Sequence, residues 1–208
     1  MILLPLFPLP NVVLFPDVPL PLHVFEPRYR TMVADALEGD RLIGMVLLKP
    51  GFEADYEGRP PIFSIGCRGV IVHSAKLENG RYNIVLNGLE RVRVIEENHE
   101  RPYRRAIVEV LEDPLLEGEA KAAMIDLRKR LDAFTGVQDS ANPAIQRLAE
   151  IPDSDFIHAM AITLDLEPLE KQALLEQPTL PLRAQALLDL LEMRRLTGSP
   201  PAKPPRAH

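Results

Sequence analysis

The hydrophobic period of this chain changes at Glu112-Asp113-Pro114, and that change constrains the fold more than any other feature. Before it, apolar residues recur mostly at every second position, as in strands that bury one face. Leu20, Leu22 and Val24 share one face, with Pro19, Pro21 and His23 opposite. The alternation returns in Tyr82, Ile84 and Leu86, in Val92 and Val94 against Arg91 and Arg93, and in Ala106, Val108 and Val110. Asn79-Gly80 supplies the positive φ that a tight hairpin needs, and Asn87-Gly88 is expected to mark another turn. These runs predict successive strands of one sheet, a meander closing toward a barrel. The prolines of the opening segment place it at a barrel edge, because proline cannot donate to a central ladder.

One helix interrupts the strands. Glu26 and Pro27 stand at its start, where the missing proline N–H costs nothing, and Tyr29, Met32, Val33, Ala36 and Leu37 follow at helical spacing up to Gly39. Residues 50–61, with Gly51, Gly58 and Pro60 among charged side chains, have no periodicity and predict a long exposed loop, a candidate contact surface. Beyond Pro114 the period becomes 3.6 and predicts helices near residues 119–134, 143–149, 154–164, 168–176 and 182–196. Asn142 and Asp153 are expected to cap two of them, Glu167 precedes Pro168, and Thr179 with Pro181 opens the last, which Gly198 closes. The expected organisation is a strand-rich subdomain over 1–112, a helical bundle over 113–198 and a disordered Pro-rich tail over 199–208.

Charge and composition exclude several functions. The 208 residues carry a formal net charge of −6. Residues 1–112 hold 13 Lys+Arg against 15 Asp+Glu, and the remainder 11 against 15, so neither part has the basic excess of a protein held to nucleic acid by its phosphates. Arg91, Arg93, Arg104 and Arg105 could form a basic strip, but Glu90, Glu96, Glu97, Glu100 and Glu109 lie beside them in sequence, and cross-strand ion pairs on solvated faces are the plainer expectation. The single cysteine, Cys67, excludes an internal disulfide; in the apolar run 65–72 it is expected to be a buried thiol. No Cys/His cluster has metal-ligand spacing. The apolar start lacks a basic leader, is broken by Pro5, Pro8, Pro10 and Pro16, and is interrupted by Asn11 and Asp17, well short of the roughly 20 residues of a membrane span. A cytoplasmic protein with no membrane partner is expected.

Catalytic signatures are missing. No glycine precedes a lysine, so the P-loop is absent, and no two glycines stand two apart, which removes the dinucleotide and kinase glycine loops. There is no GxSxG and no HExxH. His23, His73 and His99 have no orienting partner in sequence. Asp153 and Asp155 suit a helix N-terminus, where negative charge meets the dipole, rather than a catalytic pair. No catalytic, cofactor-binding or metal-binding residue is predicted.

The residues also carry a resemblance. The run from Leu4 to Pro16, followed by Pro19-Leu20-Pro21-Leu22-His23-Val24-Phe25-Glu26-Pro27-Arg28-Tyr29-Arg30, resembles the start of the Lon protease N-terminal domain. Gly66-Cys67, the run from Gly80 to Gly88 and Pro102-Tyr103-Arg104 follow in the same order. The resemblance covers residues 1–198. It implies an α+β fold: a PUA-like six-stranded pseudo-β-barrel with an inserted helix, followed by a C-terminal α-helical bundle. In full-length Lon this region helps to recognise unfolded or tagged substrates and supports assembly. The chain ends where the ATPase module would begin and has no counterpart of the Ser-Lys active site, so a stand-alone substrate-binding-domain protein, peptidase-related by descent and not by activity, is the expectation.

By the same resemblance Glu26, Arg28, Tyr29 and Met32 are the candidate protein-binding residues, because the corresponding stretch of Lon lies near substrate. The competing reading makes Glu26 and Arg28 a brace for the helix start and Tyr29 with Met32 its buried face. Expected partners are unfolded or client protein segments; a homodimer through the bundle stays open. An RNA-binding PUA-like module and an unrecognised hydrolase are the alternatives.

Overall fold

The computed structural model describes residues 1–55, 58–98, 100–135 and 150–197. The helix expected over 143–149 with its Asn142 cap, Gly198, the Pro-rich tail and His99 lie outside the described residues. The chain forms two compact units, Met1–Glu112 and Asp113–His208.

The first unit contains β1 (Ile2–Leu9), β2 (Pro19–Val24), α1 (Pro27–Glu38), β3 (Leu42–Leu47), β4 (Ile65–Lys76), β5 (Tyr82–Asn98) and β6 (Arg104–Leu111). The sheet order is β2-β5-β4-β3-β1-β6, and a further β5–β6 pairing closes five of the strands into a ring, with β2 attached outside. The expected meander holds for β3 to β6, which pair consecutively and antiparallel, and the departure is at the first two strands: β1 runs parallel to β3 and antiparallel to β6, and β2 pairs only β5 among the described residues. A meander is what local turn signals suggest when long-range pairing cannot be read.

Proline placement follows from this topology. Pro19 and Pro21 lie on β2, whose only ladder is with β5, and this strand is the expected edge. The expectation that the whole opening forms an edge fails for β1. That strand pairs β6 over Ile2–Leu6 and β3 over Leu6–Leu9, changing partner at Leu6. Pro5 is thus flanked on one side by β6 alone and Pro8 by β3 alone, so each ring can face a side where no donor is required.

Asn79-Gly80 does close the β4–β5 hairpin, with Gly80 at φ +75° and the Leu77 N–H donating to the Arg81 carbonyl at 2.8 Å. Asn87-Gly88 is not a turn. It lies inside the single 17-residue strand β5, at a register shift opposite Arg68 and Gly69. Gly88 is required by crowding: a Cβ there would run into the Phe15 carbonyl. Two other register shifts lie beside Val72 and Ile95, which are 56% and 52% exposed, as expected for extra residues turned out of a ladder.

Both faces of β3 and of the second half of β1 are buried. Leu6 and Val46 join a cluster with Leu4, Val92, Ala106 and Val108, whereas their neighbours Phe7 and Met45 join the cluster formed under α1 by Tyr29, Met32, Val33 and Ala36. Cys67 is fully buried in the second cluster, as the apolar run predicts.

The second unit contains α2 (Gly118–Thr135), α3 (Asp153–Thr163), α4 (Pro168–Glu176) and α5 (Leu180–Leu196). Helices α2, α3 and α4 all pack on α5, burying Met124, Leu131, Phe156, Ile157, Leu174, Leu175, Ala184, Leu187 and Leu188. Glu167 and Glu170 form a reciprocal capping box at α4. The Thr179 side chain accepts the Leu182 N–H at α5. Asp153 is not a cap, as the sequence suggests, but the first residue of α3, after Pro152; its carboxylate accepts from Arg128 at 3.2 Å. Arg183, fully buried on α5, donates from Nη1 to Asp113 at 3.1 Å and to His158 Nε2 at 3.0 Å, and from Nη2 to the Gln177 carbonyl at 3.2 Å.

Candidate functional site

The candidate residues gather where β2 ends and α1 begins. Pro27 fixes the first turn of α1, and Glu26 stands at the cap position in extended conformation. Arg28 folds back so that its Nε donates to Glu26 Oε2 at 3.1 Å with Nη2 at 3.0 Å, both side chains remaining 22% exposed. The Arg28 guanidinium also lies over the Tyr29 ring, 4.7 Å from its centroid. Tyr29 points the other way, to a ring contact with Phe7 at 4.4 Å. Tyr29 is 4% exposed and Met32 fully buried. Side chains that can meet a partner in this conformation are therefore those of Glu26 and Arg28, with Tyr29 presenting one wall. Phe25, adjacent in the chain, is 57% exposed and faces His23, whose Nδ1–H donates to Asn83 at 2.7 Å.

Arg28 and Tyr29 also border a cavity of about 200 Å³. Its apolar walls are Pro8 at the end of β1, Leu48 after β3, and Pro60 and Pro102; Tyr103, Arg59 and Arg104 supply the rest of the polar lining. The loop expected to be exposed over 50–61 contains a short 3-10 helix, Phe52–Asp55, and buries Pro60 beside this cavity.

Tyr103 donates its hydroxyl to Asp35 on α1 at 2.6 Å. Burial, then the Asp35 hydrogen bond and charge, push its pKa up from 10.0 to about 12. Arg104 is 7% exposed. Its Nε lies 3.3 Å from Glu97, and the same carboxylate reaches Arg59 at 3.8 Å. Burial pulls the Arg104 guanidinium below its ordinary pKa, Arg59 and Arg28 add to that pull, and Glu97 opposes it.

The arginines expected on one solvated strip are thus separated. Arg91 is 3% exposed and Arg104 is buried, which corrects their reading as solvated. Strand alternation cannot show that both faces of a strand are covered. The expected cross-strand pairing does hold for Arg93, which donates to Glu109 at 2.8 Å, and Arg68 makes a two-pronged contact with Glu90 at 2.6 and 2.8 Å. The Arg68 pair lowers the Glu90 pKa through that hydrogen bond.

Sequence reasoning did not single out Arg59, Tyr103 or Arg104 as one site. They come from separate segments, and the only local signal was Pro102-Tyr103-Arg104 immediately before β6. Among the described residues no group of His, Cys, Asp and Glu could hold a metal, and no helix is long and apolar enough to cross a membrane.

Comparison with known proteins places this geometry in a family. The model of the ATP-dependent protease La (LON) substrate-binding domain matches residues 3–193. The chain is 32% identical over 196 residues to Lon protease 2 of Myxococcus xanthus, covering 92% of this chain and 24% of that protein. It is 30% identical over 196 residues to a Lon protease of Anaeromyxobacter dehalogenans, covering 92% of this chain and 23% of that one. The chain therefore spans about a quarter of the length of the curated relatives it matches. Among solved structures, the N-terminal domain of a Mycobacterium avium complex Lon protease has a TM-score of 0.72 at 16% identity, covering 91% of this chain and 98% of that one. A Lon N-terminal domain protein of Xanthomonas campestris has a TM-score of 0.61 at 23% identity over the same shares. With nearly its whole length matched by one model and its fold shared with two such domains, the chain belongs to the Lon substrate-binding domain family.

Proposed function

We propose that this chain recognises exposed apolar or unfolded segments of other proteins and catalyses no reaction itself. The observation that carries this reading is the cavity of about 200 Å³ bordered by Arg28, with prolines, Leu48, Tyr29 and Tyr103 in its lining. Three arginines and two tyrosines share the lining with those apolar residues, and placed polar groups beside an apolar wall fix the orientation of a bound segment. Phe25, 57% exposed next to Glu26, extends the apolar surface toward β2. The six-stranded sheet, five strands of which close into a ring, with α1 packed on it, supports the PUA-like description of this unit.

The mode of recognition is by side chains rather than by strand addition. A client strand laid along the outer edge of β2 would find no N–H at Pro19 or Pro21. Such prolines are a means by which edges resist pairing. The RNA-binding alternative draws no support from Arg91, Arg93 and Arg104, which are respectively buried, ion-paired and buried. We also place the protein in the cytoplasm, where its lone buried thiol needs no oxidising compartment.

The test is a titration of the purified chain into fluorescently labelled, reduced and carboxymethylated α-lactalbumin, which stays unfolded, followed by anisotropy. Saturable binding that native α-lactalbumin does not compete away is expected. No change in anisotropy at high micromolar protein overturns the reading.

A further inference from the structure

The Arg104 guanidinium is buried and under-used. Nε and Nη1 are out of reach of solvent and make no hydrogen bond to any described residue, and the contact with Glu97 is an ion pair at 3.3 Å. A guanidinium carries five N–H donors in a rigid fork, and burying several of them unmatched is costly. Such a group calls for an acceptor, and Arg104 lines a cavity that can admit one. Glu97 cannot fully serve, because it is divided between Arg104 and Arg59, at 3.3 and 3.8 Å. Both arginines line the cavity together with Arg28.

The acceptor that suits this fork is a carboxylate. It matches guanidinium geometry with two parallel bonds, and it is favoured where burial weakens competition from water. The rest of the lining indicates what accompanies it. Pro8, Leu48, Pro60 and Pro102 are apolar, so the carboxylate is joined directly to an apolar group. The volume, about 200 Å³, lies below the roughly 300–1,000 Å³ of pockets that enclose a whole drug-sized ligand. It has room for the end of a chain, not for a continuous segment crossing it.

We propose that this cavity binds the C-terminal carboxylate of a peptide whose last residue is apolar, with Arg104 as the principal carboxylate ligand and Arg59 and Arg28 flanking it. The inference rests on the protein-recognition reading and specifies one site within it. Nε and Nη1 are closed to a water-sized group, so binding turns the Arg104 guanidinium toward the cavity, and the interaction is strongest for the ionised carboxylate.

The experiment uses the full chain and two N-terminally labelled decapeptides of one sequence ending in leucine, one a free acid and the other a C-terminal amide. The expected result is at least ten-fold tighter binding of the acid, competition by N-acetyl-leucine, and loss of the acid preference in R104Q. Because Arg104 is buried, R59Q, at a side chain 34% exposed, is measured in parallel and is expected to reduce the preference. Competition by acetate as effective as by N-acetyl-leucine would overturn the apolar-end specificity and leave a bare anion site. Equal binding of acid and amide, with unfolded α-lactalbumin still bound, overturns this site but not the broader function. Failure of both peptides and the unfolded protein overturns both.

Discussion

Two of the buried arginines, Arg183 in the second unit and Arg104 in the first, have different surroundings. Arg183 in the second unit is fully buried and spends its fork on Asp113, His158 and the Gln177 carbonyl. Arg104 in the first unit is 7% exposed, borders a cavity, and leaves Nε and Nη1 without a hydrogen bond among the described residues. A buried charge supplied with acceptors from its own unit is part of the fold, since removing it strands its partners. One that lacks them adds little to stability and is kept for another reason. Arg104 thus borders a cavity with donors unspent, whereas Arg183 spends both terminal nitrogens on acceptors of its own unit.

The largest effect that would break this comparison concerns Arg183. Arg183→Met is expected to lower stability by about 3 kcal/mol, the cost of leaving His158 and Asp113 without their donor, and to leave peptide binding by folded protein unchanged. Urea unfolding with a peptide titration checks both. Next comes Gly88→Ala, whose Cβ meets the Phe15 backbone. Rigid crowding of this kind costs about 2 kcal/mol, and a shift in the urea midpoint reads it.

Tyr103→Phe removes the 2.6 Å hydrogen bond to Asp35 and is expected to cost about 1 kcal/mol at neutral pH. Its pH dependence has a definite sign. The folded pKa is raised from 10.0 to about 12, so the folded state holds the phenol proton more tightly than the unfolded chain. Tyr103 therefore contributes stability fully below pH 10 and loses it as the pH rises from 10 to about 12, and the variant lacks that loss. Melting curves across this window in both proteins measure it.

Arg104→Met is expected to fall within about 1 kcal/mol of the parent in stability, because an apolar replacement removes unmatched donors along with an ion pair. Its defect is in binding. A fall as large as that of Arg183→Met would erase the distinction between the two sites. The smallest effect is at Phe25, 57% exposed: Phe25→Ala leaves the urea midpoint unchanged and weakens binding of an unfolded client by about ten-fold at most, the range of a single aromatic contact.

What the sequence revealed and concealed divides along the same physical lines. The start of α1 was legible because Glu26 and Pro27 act within a single turn, and so was the edge strand β2, because Pro19 and Pro21 forbid a second ladder. The starts of α4 and α5 were legible from Pro168, Thr179 and Pro181 for the same reason. The pairings of β1, parallel to β3 and antiparallel to β6, were not, since neither leaves a local mark. Gly88 was misread as a turn because its cause is the approach of Phe15, 73 positions away along the chain. Arg104 was misread as a surface charge because alternation records which residues share a face, not which faces are covered. The cavity was beyond reach, as its lining comes from β1, α1, the loop before β4 and the start of β6.

The most direct test of the account is a chemical-shift titration of isotopically labelled full chain with unfolded, reduced and carboxymethylated α-lactalbumin. Saturable shifts are expected at Glu26, Arg28, Arg59, Tyr103 and Arg104, with the amides around Arg183 unmoved. Saturable shifts confined to the helices of the second unit, or none at any concentration, would contradict it.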